Sequence, residues 1–238
     1  EFVMPDCTDE KLNSLVEQYS KDGYRVLLLA HSKQALSKDY VPVNRTPISL
    51  LILEDRIRDD AVETIKWFKN NHVRIKIISG DNPVTVSEVA RRVGVENYDK
   101  YISLHGLSNN EVIEAANKYS IFGRVNPEQK SILVKALKSQ GKTVAMTGDG
   151  VNDIPALKEA DCSIAMASGN DAVRKVAQLV LLDSNFSVLT SVVAEGRRVI
   201  NNIQRTSSLF LTKTFTSIVI SIVSILAMFI AAKIELQF

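Results

Sequence analysis

The chain has 238 residues, enough for one large domain or one domain with an appendage. Apolar residues make up 45% and charged residues 24%, as in ordinary globular proteins, and a formal net charge of +2 gives no footing for a nucleic-acid partner. Two distant cysteines, Cys7 and Cys162, argue against a disulfide framework or zinc site, and His31, His72 and His105 are too scattered for a histidine metal centre.

Glu1 to Pro5 has neither a basic start nor an apolar core, so no signal peptide is expected. A start at Glu1 rather than methionine suggests a fragment or a trimmed product. Lys11 to Ser20 reads as a short amphipathic helix, and Tyr24 to His31 and Ile48 to Leu53 read as strands. Ser32 to Pro47 between them is polar, carries Pro42 and Pro47, and is expected to be a loop. A βα alternation follows. Its helices are expected at 59–70, 83–93, 109–119, 127–139 and 153–160, and its strands at 73–78, 121–122, 143–146 and 162–165. A further strand-like run covers 176–182. Such an alternation implies α/β architecture with a parallel sheet covered on both faces, and ligands beyond the carboxyl ends of its strands. The loops after Ile78 and Met146, both containing Gly-Asp, are therefore where chemistry is expected.

From about Val188 to Ile234 helix formers run almost unbroken, a length of roughly 70 Å as one helix. Thr214 to Ala232 contains no charged residue, as a transmembrane helix requires. Arg197, Arg198, Arg205 and Lys213 precede it and place that side in the cytoplasm by the positive-inside rule. A buried core helix is the plainer alternative.

Four stretches carry candidate chemistry. Thr147-Gly148-Asp149-Gly150-Val151-Asn152-Asp153 follows a strand and opens a helix. Its glycines admit an anion to the backbone amides, Asp149 and Asp153 suit one hard cation such as Mg²⁺, and Asn152 can donate to a phosphate. Ser79-Gly80-Asp81 offers a hydroxyl and an amide to a phosphoryl oxygen, and fits a helix N-cap equally well. Lys130, near the start of a helix opened by Pro127, can reach a phosphate or simply be solvated, and Arg124 shares that ambiguity. Glu54 to Asp59 is a charged run that reads as a solvated face or an interdomain hinge.

Together and in this order, these pieces resemble cation-transporting P-type ATPases of the haloacid-dehalogenase-like (HAD-like) superfamily. Ser79-Gly80-Asp81 is similar to that family's Thr/Ser-Gly-Asp motif, Lys130 to its phosphate-binding lysine, and Met146 to Met166 to its hinge-and-magnesium signature. Asp55 and Arg58 resemble a family Asp-x-x-Arg, with Arg56 and Ile57 where prolines are common. Leu181 to Arg205 resembles the segment entering the fifth membrane helix.

The resemblance implies a phosphoenzyme cycle: ATP phosphorylates an aspartate, Mg²⁺ neutralises the transferred group, and movements reach ion sites through a stalk. It assigns Ser79, Lys130 and Asp149 to catalysis, and Asp149 and Asp153 to the metal. It assigns Arg58, Ser79, Gly80, Asp81, Arg124, Lys130 and Asn152 to ATP or the phosphoryl group. The implied fold is a HAD-like Rossmannoid parallel sheet followed by a long stalk and transmembrane helix. Residues 1–47 would end a nucleotide-binding domain and hinge, 48–187 form the phosphorylation domain, 188–213 the cytoplasmic stalk and 214–238 the membrane segment. The partners implied are ATP, a transported cation with Ca²⁺ as first choice, the lipid bilayer of the cell membrane and the pump's other domains, with residues 1–213 cytoplasmic.

Two departures stand out. Asp-Lys-Thr-Gly-Thr is absent, since the one Asp-Lys here is Asp99-Lys100 followed by Tyr101. The nucleophile and its central strand are then expected upstream, the chain by itself is expected to be inactive, and the sheet is expected to have open edges. The apolar helix also lacks carboxylates, and Ser217, Ser221 and Ser224 share a face suited to packing or to lining an ion path. A HAD-family phosphatase-like protein and a non-catalytic membrane-tethered remnant are the competing readings.

Overall fold

The computed structural model describes residues 9–34, 45–54 and 56–235, with side chains through 230. Cys7, Asp55 and most of the loop expected at 32–47 lie outside the described residues. The chain divides into two units, Glu1–Val188 and Leu189–Phe238.

The first unit opens with α1 (Glu10–Lys21), whose N-terminal amides at Lys11 and Leu12 donate to the Asp9 carboxylate. A turn at Gly23, held at φ +85°, leads into β1 (Arg25–His31), which pairs antiparallel with β2 (Thr46–Leu53). β2 starts earlier than the sequence suggested and takes in Pro47. The ladder accommodates this proline at an irregularity, where Leu29 faces Ser49 but Ala30 faces Pro47.

Two three-stranded parallel sheets follow, built from β3 (Ile77–Ile78), β4 (Tyr101–Ser103), β5 (Ile121–Gly123), β6 (Ala145–Gly148), β7 (Cys162–Met166) and β8 (Leu179–Leu181). Their orders are β3-β5-β4 and β6-β7-β8. The central strands are buried throughout in β5 and mostly in β7, as parallel strands require. β3 and β6 instead lie at the edges and are less buried, with Ala145 exposed. The expected sheet with a missing central strand therefore takes the form of two half-sheets, each ending on a strand that carries a candidate site turn.

The helices are α2 (Ala61–Asn70), α3 (Pro83–Arg92), α4 (Asn109–Lys118), α5 (Pro127–Ser139), α6 (Ile154–Glu159) and α7 (Asp171–Val176). α4, α5 and β5 enclose the principal core around Leu104, Val112, Phe122, Leu133 and Leu137. A second core joins Leu157, Ala165 and Val173 beneath α6 and α7.

Several boundaries differ from the sequence reading. β3 is two residues rather than the expected 73–78, because it has ladder partners on one side alone and only Ile77 and Ile78 pair with β5. β6 is displaced to 145–148, in register with 162–165. The expected helix over 153–160 begins as a 3-10 turn at Val151–Asp153 before α6. The apolar run 176–182 is split, its first residue closing α7 and its centre forming β8.

The last helix, α8 (Val188–Glu235), is 48 residues long, or about 72 Å at 1.5 Å per residue. Its 188–230 portion is long and apolar enough to cross a membrane. Ile218, Val223, Leu226 and Phe229 are all more than half exposed, as a lipid-facing surface would be.

Candidate functional site

Capping decides where Lys130 stands. Asn126 accepts from the Gln129 amide at 2.8 Å, and the Gln129 side chain accepts from the Asn126 amide at 3.1 Å. This reciprocal box, followed by Pro127 at the first helical position, fixes the start of α5. The buried Gln129 also donates to the Leu104 carbonyl at 2.8 Å and anchors that end to the core. One turn in, the Lys130 ammonium donates to Asp153 Oδ1 at 2.7 Å. Their side chains are 15% and 11% exposed, so this ion pair is nearly buried.

Asp153 is pressed against the end of β6. A Cβ at Gly148 would lie 2.6 Å from the Asp153 Cβ, so only glycine lets this turn close. The other Asp153 oxygen accepts from the Gly150 amide at 3.3 Å. Asp149 and Asn152 are exposed on the same turn. The Asp149 carbonyl accepts from the Asn170 amide at 2.9 Å, which ties the turn to the loop after β7.

The Ser79–Asp81 turn continues β3. Ser79 Oγ accepts from the Asp81 amide at 3.1 Å and donates to Asp81 Oδ2 at 3.2 Å. The Asn82 side chain caps α3 by accepting from the Val84 amide at 2.9 Å. A Cβ at Gly80 would meet no protein atom, so packing does not demand glycine there. The turn is bound to the end of β5: Arg124 N–H donates to the Asp81 carbonyl and Val125 N–H to the Ser79 carbonyl, at 2.9 and 3.1 Å. Arg124 is held in the left-handed region at φ +54°, and α5 begins three residues later. Hydrogen bonds thus link Ser79–Asp81 to 124–125, α5 carries the link to Lys130, and the ion pair closes it on the 147–153 turn.

A family model described as haloacid dehalogenase-like hydrolase matches residues 10–161. The chain belongs to that family. Among curated relatives, the "Probable cation-transporting ATPase exp7" of Streptococcus pneumoniae is 45% identical over 205 residues, 85% of this chain and 26% of its own length. The "Calcium-transporting ATPase CtpE" of Mycobacterium tuberculosis is 47% identical over 206 residues, 87% and 26%. The chain spans about a quarter of the length of these relatives. Among solved structures, a zinc-transporting PIB-type ATPase in the E2.Pi state superposes with a TM-score of 0.57 at 24% identity. The match takes in 83% of this chain and 26% of that one, and it supports the fold.

Within this HAD-like frame, not every sequence-derived candidate joins the cluster. Arg58 is exposed on the segment before α2, where its charge helps to lower the Asp60 carboxyl. Asp81 has a partner the sequence reading missed: Arg25, at the start of β1, forms an ion pair with it at 3.3 Å. Only the fold brings these residues together across 56 positions of sequence. Arg124 and Asn82 line a cavity of about 580 Å³ with Leu12, Val16, Val26 and Leu50, between α1, the β1–β2 ribbon and the start of α3.

The donor set fits a magnesium ion of the kind that keeps water and phosphate oxygens as most of its ligands. Asp149 presents an exposed carboxylate beyond β6, whereas Asp153 is engaged by Lys130. Among the described residues no group of three or more His, Cys, Asp or Glu side chains converges, as a cage built wholly of protein would need.

Proposed function

We propose that this chain is the phosphate-handling part of an ATP-driven P-type cation pump, joined through α8 to the cell membrane. The observation that carries the reading is the nearly buried Lys130–Asp153 pair, tied on one side to the Ser79–Asp81 turn and on the other to Asp149. The high identity to cation- and calcium-transporting ATPases over most of the chain supports the same reading. In it, residues 1–47 end the nucleotide-binding domain and hinge, and 48–187 are the phosphorylation domain. Residues 188–213 are the cytoplasmic stalk and 214–238 enter the bilayer, with 1–213 cytoplasmic. Ca²⁺ is the transported ion.

The γ-phosphoryl group of ATP passes to an aspartate on a strand that would pair with the open edges of β3 and β6, with ADP as the leaving group. The Ser79 hydroxyl and Gly80 amide donate to its oxygens, and Lys130 brings a positive charge to it. Asn152 donates without adding negative charge. Asp153 holds the ammonium of Lys130 in place while the phosphoryl group is absent. Asp81, Arg124 and Arg58 face ATP, with Arg25 orienting Asp81. Asp149, with Asp153 behind it, would hold Mg²⁺, and the bound ion would offset the phosphoryl charge. Phosphoryl transfer needs chiefly positioning and charge compensation, and these side chains supply both. Passage through an acyl phosphate divides hydrolysis into two easier steps.

The test uses the longer protein that contains this chain. With γ-labelled ATP and Mg²⁺ it should form an acid-stable, hydroxylamine-labile phosphoprotein, and Asp149→Ala should abolish the label while the protein stays folded. Undiminished labelling in that variant overturns the site assignment.

A further inference from the structure

The entry to α8 is held by a contact that the phosphate chemistry does not use. Asp60 occupies the position before α2, where an aspartate ordinarily caps its own helix, yet its carboxylate makes no capping hydrogen bond. It accepts instead from Asn185 Nδ2 at 2.8 Å, 125 residues along the chain. Hydrogen bonds from Asn185 first, and then Ser187, hold the Asp60 carboxyl below its ordinary range. The same Asn185 amide is used at both ends, because its Oδ1 accepts from the Ser187 amide at 3.1 Å, immediately before α8 begins.

The contact continues along α2. Asp60, Thr64 and Phe68 recur every four residues and share one stripe. Thr64 and Phe68 are buried, at 5% and 6% exposure. The Phe68 ring packs on Phe186 with centroids 5.2 Å apart, and Trp67 meets Phe68 edge-on at the same separation. On the other side, the Ser168 amide donates to Ser184 Oγ at 2.8 Å, and Ser184 is a non-glycine residue at φ +48°. Ser168 lies in the loop whose Asn170 amide binds the Asp149 carbonyl. Three consecutive residues, 184 to 186, thus join the turn of Asp149 to the base of α2 just ahead of α8.

We propose that Asp60 and Asn185 form a latch that makes the segment before α2 and the entry of α8 move as one piece. They are positioning residues in this role. The inference leans on the pump reading only in taking α8 as the membrane connection. The contact is short, directional and reinforced by a ring stack, with Asp60 just ahead of α2 and Asn185 just ahead of α8.

The test is amide hydrogen exchange on the 238-residue chain in detergent micelles, and it requires neither ATP nor a cation. Asp60→Ala and Asn185→Asp should each speed exchange at 58–61 and at 186–188 together. Loss of a charge-assisted hydrogen bond makes the expected factor about tenfold. Exchange in α5 should stay unchanged, which separates the latch from general destabilisation. The exchanged pair, Asp60→Asn with Asn185→Asp, restores donor opposite acceptor and should bring both segments back to within about twofold of the parent. The latch is refuted if the single variants leave either segment unchanged, if α5 loosens equally, or if the exchanged pair stays as loose as the singles. Failure of phosphoprotein formation would count against the pump reading and leave this result standing.

Discussion

The Lys130–Asp153 pair gives the most direct measure of how the site is built. With side chains 15% and 11% exposed, neither group regains full hydration when the other is removed. Lys130→Met leaves the Asp153 carboxylate with only the long Gly150 amide contact at 3.3 Å. Breaking a buried pair in this way costs about 3–5 kcal/mol, and the residual exposure puts the expected loss near the low end, about 3 kcal/mol. Asp153→Asn keeps the shape needed against Gly148 and still offers an acceptor to the ammonium, so about 2 kcal/mol is expected. The double variant carries no orphaned charge and should lose about 2 kcal/mol rather than the sum of about 5, a coupling of about 3 kcal/mol. Urea unfolding followed by Trp67 emission provides the assay, since Trp67 is the only tryptophan and lies in the first unit. For a unit of this size about 3 kcal/mol corresponds to roughly 6–12 °C in Tm. Single losses that add in the double to within about 0.5 kcal/mol would show two independent surface charges and refute the reasoning.

Two further outcomes concern pH. Glu88, bonded first to Arg91 and also to Arg92, has its carboxyl lowered from 4.5 to about 2, so the stability it contributes is complete above pH 4.5 and lost as pH falls from there toward 2. The gap between the parent and Glu88→Gln should be about 1 kcal/mol near neutrality, since Arg91 is largely exposed, and should close across that window in acid-unfolding curves; a constant gap would contradict the assignment. Lys76 is held at about 8 rather than 10.5, by burial first and then by Lys142 and Arg74, so between pH 8 and 10.5 the unfolded chain binds the extra proton. The parent should therefore gain stability relative to Lys76→Met as pH rises through that interval in urea titrations, and a falling difference would reverse the sign argued here.

How much of this was legible in the sequence depends on whether a feature is local. The turns at 79–81 and 147–153 announce themselves because glycine, hydroxyl and carboxylate must be adjacent to build a phosphate turn. The start of α5 is equally plain from Asn126, Pro127 and Gln129. β4 escaped notice because three residues, Tyr101–Ser103, are too few to show a period. α7 is six residues long, and its one usable signal was the Asn170 cap, which accepts from the Ala172 amide. The long-range contacts, Arg25 with Asp81 and Lys130 with Asp153 at the site and Asp60 with Asn185 ahead of α8, join positions 56, 23 and 125 residues apart. Residue type and spacing mark Lys130 and Asp153 as candidates but do not pair them with each other, and they give no sign of the partners of Arg25 or Asp60.

The division into two half-sheets connects the two kinds of information. Absence of an Asp-Lys-Thr-Gly-Thr segment is a fact of sequence, and the division into two half-sheets is a fact of backbone pairing. Each half-sheet ends on an edge strand that leads into a candidate turn, β3 into Ser79–Asp81 and β6 into Asp149. An exposed Ala145 and a two-residue β3 are costly endings for parallel strands, which are normally covered on both faces. Lys130 spans the division from the side, since α5 follows β5 of one half-sheet and its ammonium reaches Asp153 beyond β6 of the other. The ion pair therefore does two things at once: it fastens the halves together, and it keeps a positive charge at the carboxyl ends of the strands, where a phosphoryl group would need it.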